Sequence, residues 1–179
     1  GLTYAEEEIT CREGDWHVHE ATLVAPADDP LGRLSITFRG CGTVWLGAAS
    51  LMPADSLAGW RRDVVEAARA LRPPLIRWPG GNFVSAYHWQ DGIGPRDLRP
   101  TRLDPVWGAL EPNDVGTDEF MALCRELGTE PYVCVNLGSG TPEEAAAWVE
   151  YCNGPADSPY GALRARNGHP EPYRVRYWG

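Results

Sequence analysis

The sequence predicts an α/β fold with a parallel sheet, preceded by a shorter segment of β structure. From Pro53 onward, stretches with helical periodicity alternate with short strand-like runs, the order expected of βα units. The run Pro131-Tyr-Val-Cys-Val-Asn136 is apolar almost throughout, as a strand covered on both faces requires. Before Pro53 the apolar period is two.

In residues 1–52, Trp16 and Val18 alternate with His17 and His19. Leu34, Ile36 and Phe38 alternate with Ser35, Thr37 and Arg39. Such alternation marks half-buried strands, separated here by turns at Val24–Pro30 and Gly40–Gly42. TVWLGAASL from Thr43 reads as a closing strand, and the set points to the end of a β-sandwich. Residues 53–179 form the second domain. Leu57 to Leu71 places Trp60, Val64, Ala67, Ala68 and Leu71 on one helical face, and Pro73-Pro74 stops it. Leu75–Trp78 is a short strand, followed by a loop of about thirty-five residues, longer than connectors usually run. Asp118 to Leu127 is a second amphipathic helix with Gly128 at C′. The strand to Asn136 follows. Thr141 then caps a third helix running to Cys152, with Pro142 at N1 and Glu144 at N3 completing a capping box. Tyr173 to Trp178 is the next strand.

The chain has 179 residues, a net charge of -9 and a pI near 4.9. That balance argues against nucleic acid as the partner, because phosphate binding needs a basic face. All sixteen basic residues are arginine, whose fork makes bidentate contacts that lysine cannot. No run approaches the ~20 apolar residues of a membrane span, and no leader segment is legible. Five cysteines show no metal-ligand spacing, and their odd number rules out a complete disulfide framework within the chain. His17 and His19 share a strand face but lack a third ligand, so no metal site is expected. The ends, Gly1 and an apolar run at Gly179, read as internal to a longer chain.

Chemistry in α/β folds gathers at the carboxyl ends of strands. The first strand delivers Arg77 and Trp78, then Pro-Gly-Gly-Asn82, where two glycines permit close backbone approach to a ligand. Arg77 either contacts that ligand or holds loop carboxylates. Asn82 can donate and accept, which suits a hydroxyl. Tyr87, Trp89 and Trp107 give the loop aromatic surface, and its alternating Asp and Arg residues are expected to lock it by salt bridges. Neither GxGxxG nor GK[ST] occurs, which argues against a nucleotide cradle, and GxSxG is missing too.

RWPGGNFVSAYHWQDGIGPRDLRP, Trp107, EPNDVGTDEFMALCRELGTEP, VCVNLGSGTPEEAAAWVEYCNG and LRARNGHPEPYRVRYWG follow one another in order. Together they closely resemble the α-L-arabinofuranosidases of glycoside hydrolase family 51, over about Ala49 to Gly179. Residues 1–48 resemble, more weakly, a jelly-roll module carried by some members. The resemblance implies a partial (β/α)₈ TIM barrel, its second to early fourth strands, preceded by the end of that sandwich. It implies a retaining, exo-acting enzyme without cofactor, releasing terminal arabinofuranosyl units from arabinan or arabinoxylan, and oligomers of the whole protein. The family's acid/base glutamate, in a Gly-Asn-Glu motif, is expected just after Gly179, and the nucleophile further on. No catalytic residue is therefore expected among residues 1–179.

By position in the motifs, Arg77 supports the active-site floor, Asn82 touches the arabinose and Trp107 packs on the sugar. Asn136 faces the same mouth. The Asn82 loop is expected to face Trp107, and the Arg77 and Asn136 strands to be parallel neighbours. A non-catalytic carbohydrate-binding protein on a barrel scaffold, or a glycosidase of different sugar specificity, are the rival readings.

Overall fold

The computed structural model describes residues 2–12 and 14–179, which fall into two compact units, Gly1–Leu46 and Gly47–Gly179. In the first unit the described residues form neither helix nor strand, and nearly all are exposed, Trp16, Val18, Ile36 and Phe38 included. The strands expected around Trp16–His19, Leu34–Arg39 and Thr43–Leu51 are not formed. Alternating apolar faces become strands when a neighbouring strand completes the ladder and a second layer covers them, and this unit offers neither. Its ordered feature is a turn in which Gly32 N donates to Asp29 O (3.1 Å) and Leu31 N to Asp29 Oδ1 (2.8 Å).

The second unit is α/β. Helix α1 spans Arg62–Leu71, later than the expected start at Leu57. Ala58 and Gly59 take positive φ, and Leu57 and Trp60 exchange backbone hydrogen bonds in a tight turn that delays the helix. Arg72 ends it in the left-handed region, ahead of Pro73-Pro74. α1 packs on α2 (Thr117–Leu127) through Val65, while Val64 and Leu71, expected on the buried face, point outward. Trp60 Nε1 donates to Glu119 O at 2.9 Å and anchors the turn to α2. Gly128 closes α2 at φ 65°, as its position predicts.

Strands β1 (Leu75–Trp78), β4 (Glu130–Val133) and β5 (Tyr177–Trp178) make a parallel sheet in the order β1-β4-β5. Arg77 pairs with Tyr132, and Tyr132 with Tyr177. The Arg77 and Asn136 segments are thus parallel neighbours, as expected. Trp78 and Val133 turn to the helices, where Phe120, Met121, Trp148, Tyr151 and Cys152 form the core. The opposite face carries Leu75, Arg77 and Tyr177 and is open. Tryptophans hold the covered side: Trp89 stacks on Trp148 with ring planes 6° apart, and Trp78 meets Trp148 edge-on. Such pairs add to the burial of their large apolar area.

α3 runs Pro142–Asn153, with Thr141 Oγ1 accepting from Glu144 N (3.2 Å). The reciprocal half of the expected capping box is absent, because the Glu144 carboxylate bonds His88 instead. α4 (Pro159–Arg166) was not expected from the sequence. It buries Arg164, whose guanidinium donates to the carbonyls of Tyr151, His169 and Pro170 at 2.6–3.0 Å. Between β1 and α2 the long loop is not irregular: it folds into short 3₁₀ helices at Gly81–Ala86, Trp89–Gly92 and Arg96–Leu98. An antiparallel hairpin of β2 (Arg102–Leu103) and β3 (Leu110–Glu111) follows.

Candidate functional site

The carboxyl ends of β1 and β4 release the two segments that build the site. After β1 the chain passes Gly80 and Gly81. A Cβ on Gly80 would lie 3.0–3.3 Å from the Arg77 guanidinium, so glycine lets that side chain fold back over the loop. Arg77 itself is exposed and has no ion pair among the described residues, so it holds no loop carboxylate. Gly81 takes φ 61° and delivers Asn82, which is exposed.

The loop charges do lock the loop. Arg99 donates to both Glu119 oxygens (2.8 and 3.0 Å), to Gly94 O and to Asn113 O. Glu119 also accepts from Gly116 N at 2.9 Å, closing the first turn of α2. Burial pushes its carboxyl up, but the Arg99 contacts and the backbone hydrogen bonds together outweigh burial and hold it below the usual range. Beside it, Asp118 accepts from Tyr151 and Tyr173 hydroxyls at 2.7–3.0 Å, and burial nevertheless pushes its carboxyl up. Two adjacent carboxylates are displaced in opposite directions because only one of them meets an arginine.

Asp104 builds the hairpin tip. Its Oδ1 accepts from Val106 N (2.8 Å) and Trp107 N (3.2 Å), while its backbone bonds Ala109 and Gly108. The turn holds the Trp107 indole out, 69% exposed. Asn136 behaves differently from the expectation of an open contact at the mouth. It is 6% exposed; its amide donates to Tyr87 O and Ser139 Oγ, and its oxygen accepts from Gly138 N and Ser139 N. Both amide hydrogens and both lone pairs are engaged within the protein. Asn136 ties the turn after β4 to the loop after β1.

The loop carrying Asn82 and the hairpin carrying Trp107 border a cleft of about 760 Å³. Phe83, Tyr87 and His88 line one wall, Leu103, Asp104 and Pro105 the other, and Glu144 reaches it from α3. None of Arg77, Asn82, Trp107 and Asn136 lines this cleft; Asn82 precedes Phe83, and the Trp107 amide bonds Asp104, which do. Sequence reasoning missed the pair on its rim, His88 Nδ1 donating to Glu144 Oε1 at 2.9 Å. These residues are 56 positions apart and no local spacing connects them.

Two further glutamates of the second unit serve local structure. Glu111 accepts from Asn113 N and Glu150 from Tyr160 N. Among the described residues no three His, Cys, Asp or Glu side chains gather as a metal site would need.

Residues 67–179 match the family model described as the alpha-L-arabinofuranosidase 1 domain. The chain is 55% identical over 126 residues to alpha-L-arabinofuranosidase C of Emericella nidulans, covering 70% of this chain and 25% of that one. It is 47% identical over 139 residues to an intracellular exo-alpha-L-arabinofuranosidase of Bacteroides ovatus, covering 77% and 27%. Among solved structures, the alpha-L-arabinofuranosidase of Thermotoga maritima in its arabinose complex superposes with a TM-score of 0.69 at 52% identity, over 74% of this chain and 28% of that one. The chain thus spans about a quarter of the length of the curated relatives it matches. On the match over residues 67–179, this chain belongs to the alpha-L-arabinofuranosidases of glycoside hydrolase family 51.

Proposed function

We propose that the chain is part of a retaining, exo-acting α-L-arabinofuranosidase, contributing the second to early fourth strands of a (β/α)₈ barrel. The observation that carries this is the parallel sheet itself. Helices cover one face, the Arg77 face is open, and the longest loop leaves the carboxyl end of β1. In a barrel the open face turns inward and the carboxyl-end loops surround the substrate. Arg77 then forms the floor of the furanose pocket, Asn82 bonds a sugar hydroxyl and Trp107 offers its indole to the ring. Asn136 acts one step removed, fixing the turn that borders the pocket. Residues 1–52 are the end of a β-sandwich whose strands pair in the whole protein.

Retention needs two carboxyls about 5–5.5 Å apart, one giving a proton to the leaving oxygen and one attacking the anomeric carbon. Glu111, Glu119, Glu144 and Glu150 are each engaged in holding the loop or a helix. By the order of the family's motifs, the catalytic pair is supplied by the rest of the protein. The test is hydrolysis of aryl α-L-arabinofuranoside by the full-length protein, with aryl xyloside as control. Turnover of the arabinoside with retention is expected. Preference for the xyloside, or turnover by residues 1–179 alone that a glutamate substitution within them abolishes, sinks the proposal.

A further inference from the structure

β5 pairs with β4 through Tyr177 and Trp178, extended by Gly179 N donating to Val133 O (3.0 Å) and Val135 N to Gly179 O (2.7 Å). A ladder this short does little to separate one register from the next. A slip by one residue would turn every following side chain to the other face. The register is held from the helical side instead. Asn153, the last residue of α3, donates from Nδ2 to Val175 O (2.9 Å) and accepts at Oδ1 from Val175 N (2.7 Å). One side-chain amide thus takes both backbone groups of one residue, as a paired strand residue would. The Val175 side chain is buried in the core.

A second anchor lies two residues earlier. Tyr173 N donates to Cys152 O, next to Asn153 in α3, and the Tyr173 hydroxyl donates to Asp118 of α2, each at 2.7 Å. Arg174 stands between the anchors at φ 59°, a conformation that a residue with a Cβ keeps where its neighbours are fixed. α3 is seated by Trp148, Tyr151 and Cys152, all buried, so the clamp rides on a rigid element. Both Asn153 bonds go to Val175, and its influence on a reaction passes through β5.

Resting on the arabinofuranosidase reading, in which the proton-donating carboxyl follows β5, we propose that Asn153 is a positioning residue for that carboxyl. Its clamp on Val175 sets the register in which the chain leaves the sheet. In the first half of the reaction the bond from the anomeric carbon to the leaving oxygen breaks, its electron pair going to that oxygen. The nucleophilic carboxylate bonds the carbon, and the acid gives its proton to the leaving oxygen. A dinitrophenolate leaves without that proton, whereas a phenolate needs it. The experiment measures kcat/KM, which reports this half, for the full-length protein on dinitrophenyl and phenyl α-L-arabinofuranosides. In Asn153→Ala the phenyl substrate should lose on the order of tenfold more than the dinitrophenyl one, part of the about 10²–10⁴-fold that a well-placed general acid contributes. Asn153→Asp keeps the acceptor for Val175 N and loses the donor to Val175 O. It should shift the ratio the same way, and it carries the test if the alanine variant fails to fold. Ser158→Ala strips the cap of α4 without touching β5 and should leave the ratio unchanged. Equal losses on both substrates in the Asn153 variants, or the same shift in Ser158→Ala, overturn the positioning role while the parent activity stands. Wild-type protein that hydrolyses neither arabinofuranoside overturns the parent reading, and the positioning role with it.

Discussion

Arg99 grips both carboxylate oxygens of Glu119, at 2.8 and 3.0 Å, with its side chain only 3% exposed. This pair joins the middle of the long loop to the first turn of α2. Removing Arg99 leaves the buried Glu119 carboxylate with only the longer Arg96 contact at 3.6 Å for charge compensation. Arg99→Ala should therefore destabilise the full-length protein by about 3–5 kcal/mol, read by chemical denaturation. Arg99→Lys should recover only part of that, because an ammonium cannot reproduce the fork. A loss indistinguishable from that of an exposed arginine such as Arg61 would contradict the anchoring role.

Asp118 and Glu119 should give opposite signs to the pH dependence of stability. Glu119 lies below its unfolded range, so its stabilisation is complete above that range and is lost as pH falls through the folded value. Asp118 lies above its unfolded range, so the folded state holds its proton more tightly and stability declines as pH rises through that interval. Asp118→Asn should remove the decline. Melting temperatures of wild type and variant, followed upward from about pH 4, should diverge in favour of the variant. Parallel curves would show that Asp118 ionises in the folded protein as it does unfolded.

Trp107→Ala in the full-length protein should lower kcat/KM for an aryl arabinofuranoside ten- to a hundredfold, about 1.4–2.8 kcal/mol of transition-state stabilisation. Stability should hardly move, because the indole is exposed and the hairpin tip is held by Asp104. A kinetic change below twofold would make Trp107 a surface residue.

Asn82→Ala should cost on the order of 1 kcal/mol in kcat/KM, one sugar hydrogen bond, with the melting temperature unchanged. A large melting shift with intact kinetics would place Asn82 in the framework instead.

Asn136→Ala should do the reverse of Asn82→Ala. It strips partners from Tyr87 O, Ser139 Oγ and two amides at a buried position, so a loss of about 2–3 kcal/mol in stability is expected. Activity should fall mainly through the displaced turn, and differential scanning calorimetry beside kinetics separates the two.

Local signals in the sequence were legible where one segment decides its own conformation. Gly128, Pro73-Pro74 and the Thr141-Pro142 start all mark helix ends that the structure has. Ser158-Pro159 carries the same start signal as Thr141-Pro142, and Ser158 Oγ does accept from Gly161 N; α4 was there to be read. Distant pairings were not legible. Glu144 fits a capping box by spacing, yet a histidine 56 residues away takes its carboxylate. Asn136 stands at a strand end like a ligand contact, and only its four bonds reveal a brace. The period-two pattern near Trp16 and Ile36 describes faces that need partners, and alternation alone supplies none.

Glu144 holds three parts of the molecule at once. Its amide is capped by Thr141, its carbonyl accepts the Trp89 indole N–H at 3.1 Å, and its carboxylate takes His88. The segment from Pro79 to Gly92 is thus bolted to the first turn of α3, in addition to the brace that Asn136 and Ser139 give it from the turn after β4. Anyone exchanging this loop between relatives to alter specificity has to move the start of α3 with it. A graft ending at Pro100 would carry half of each joint into a host that lacks the other half.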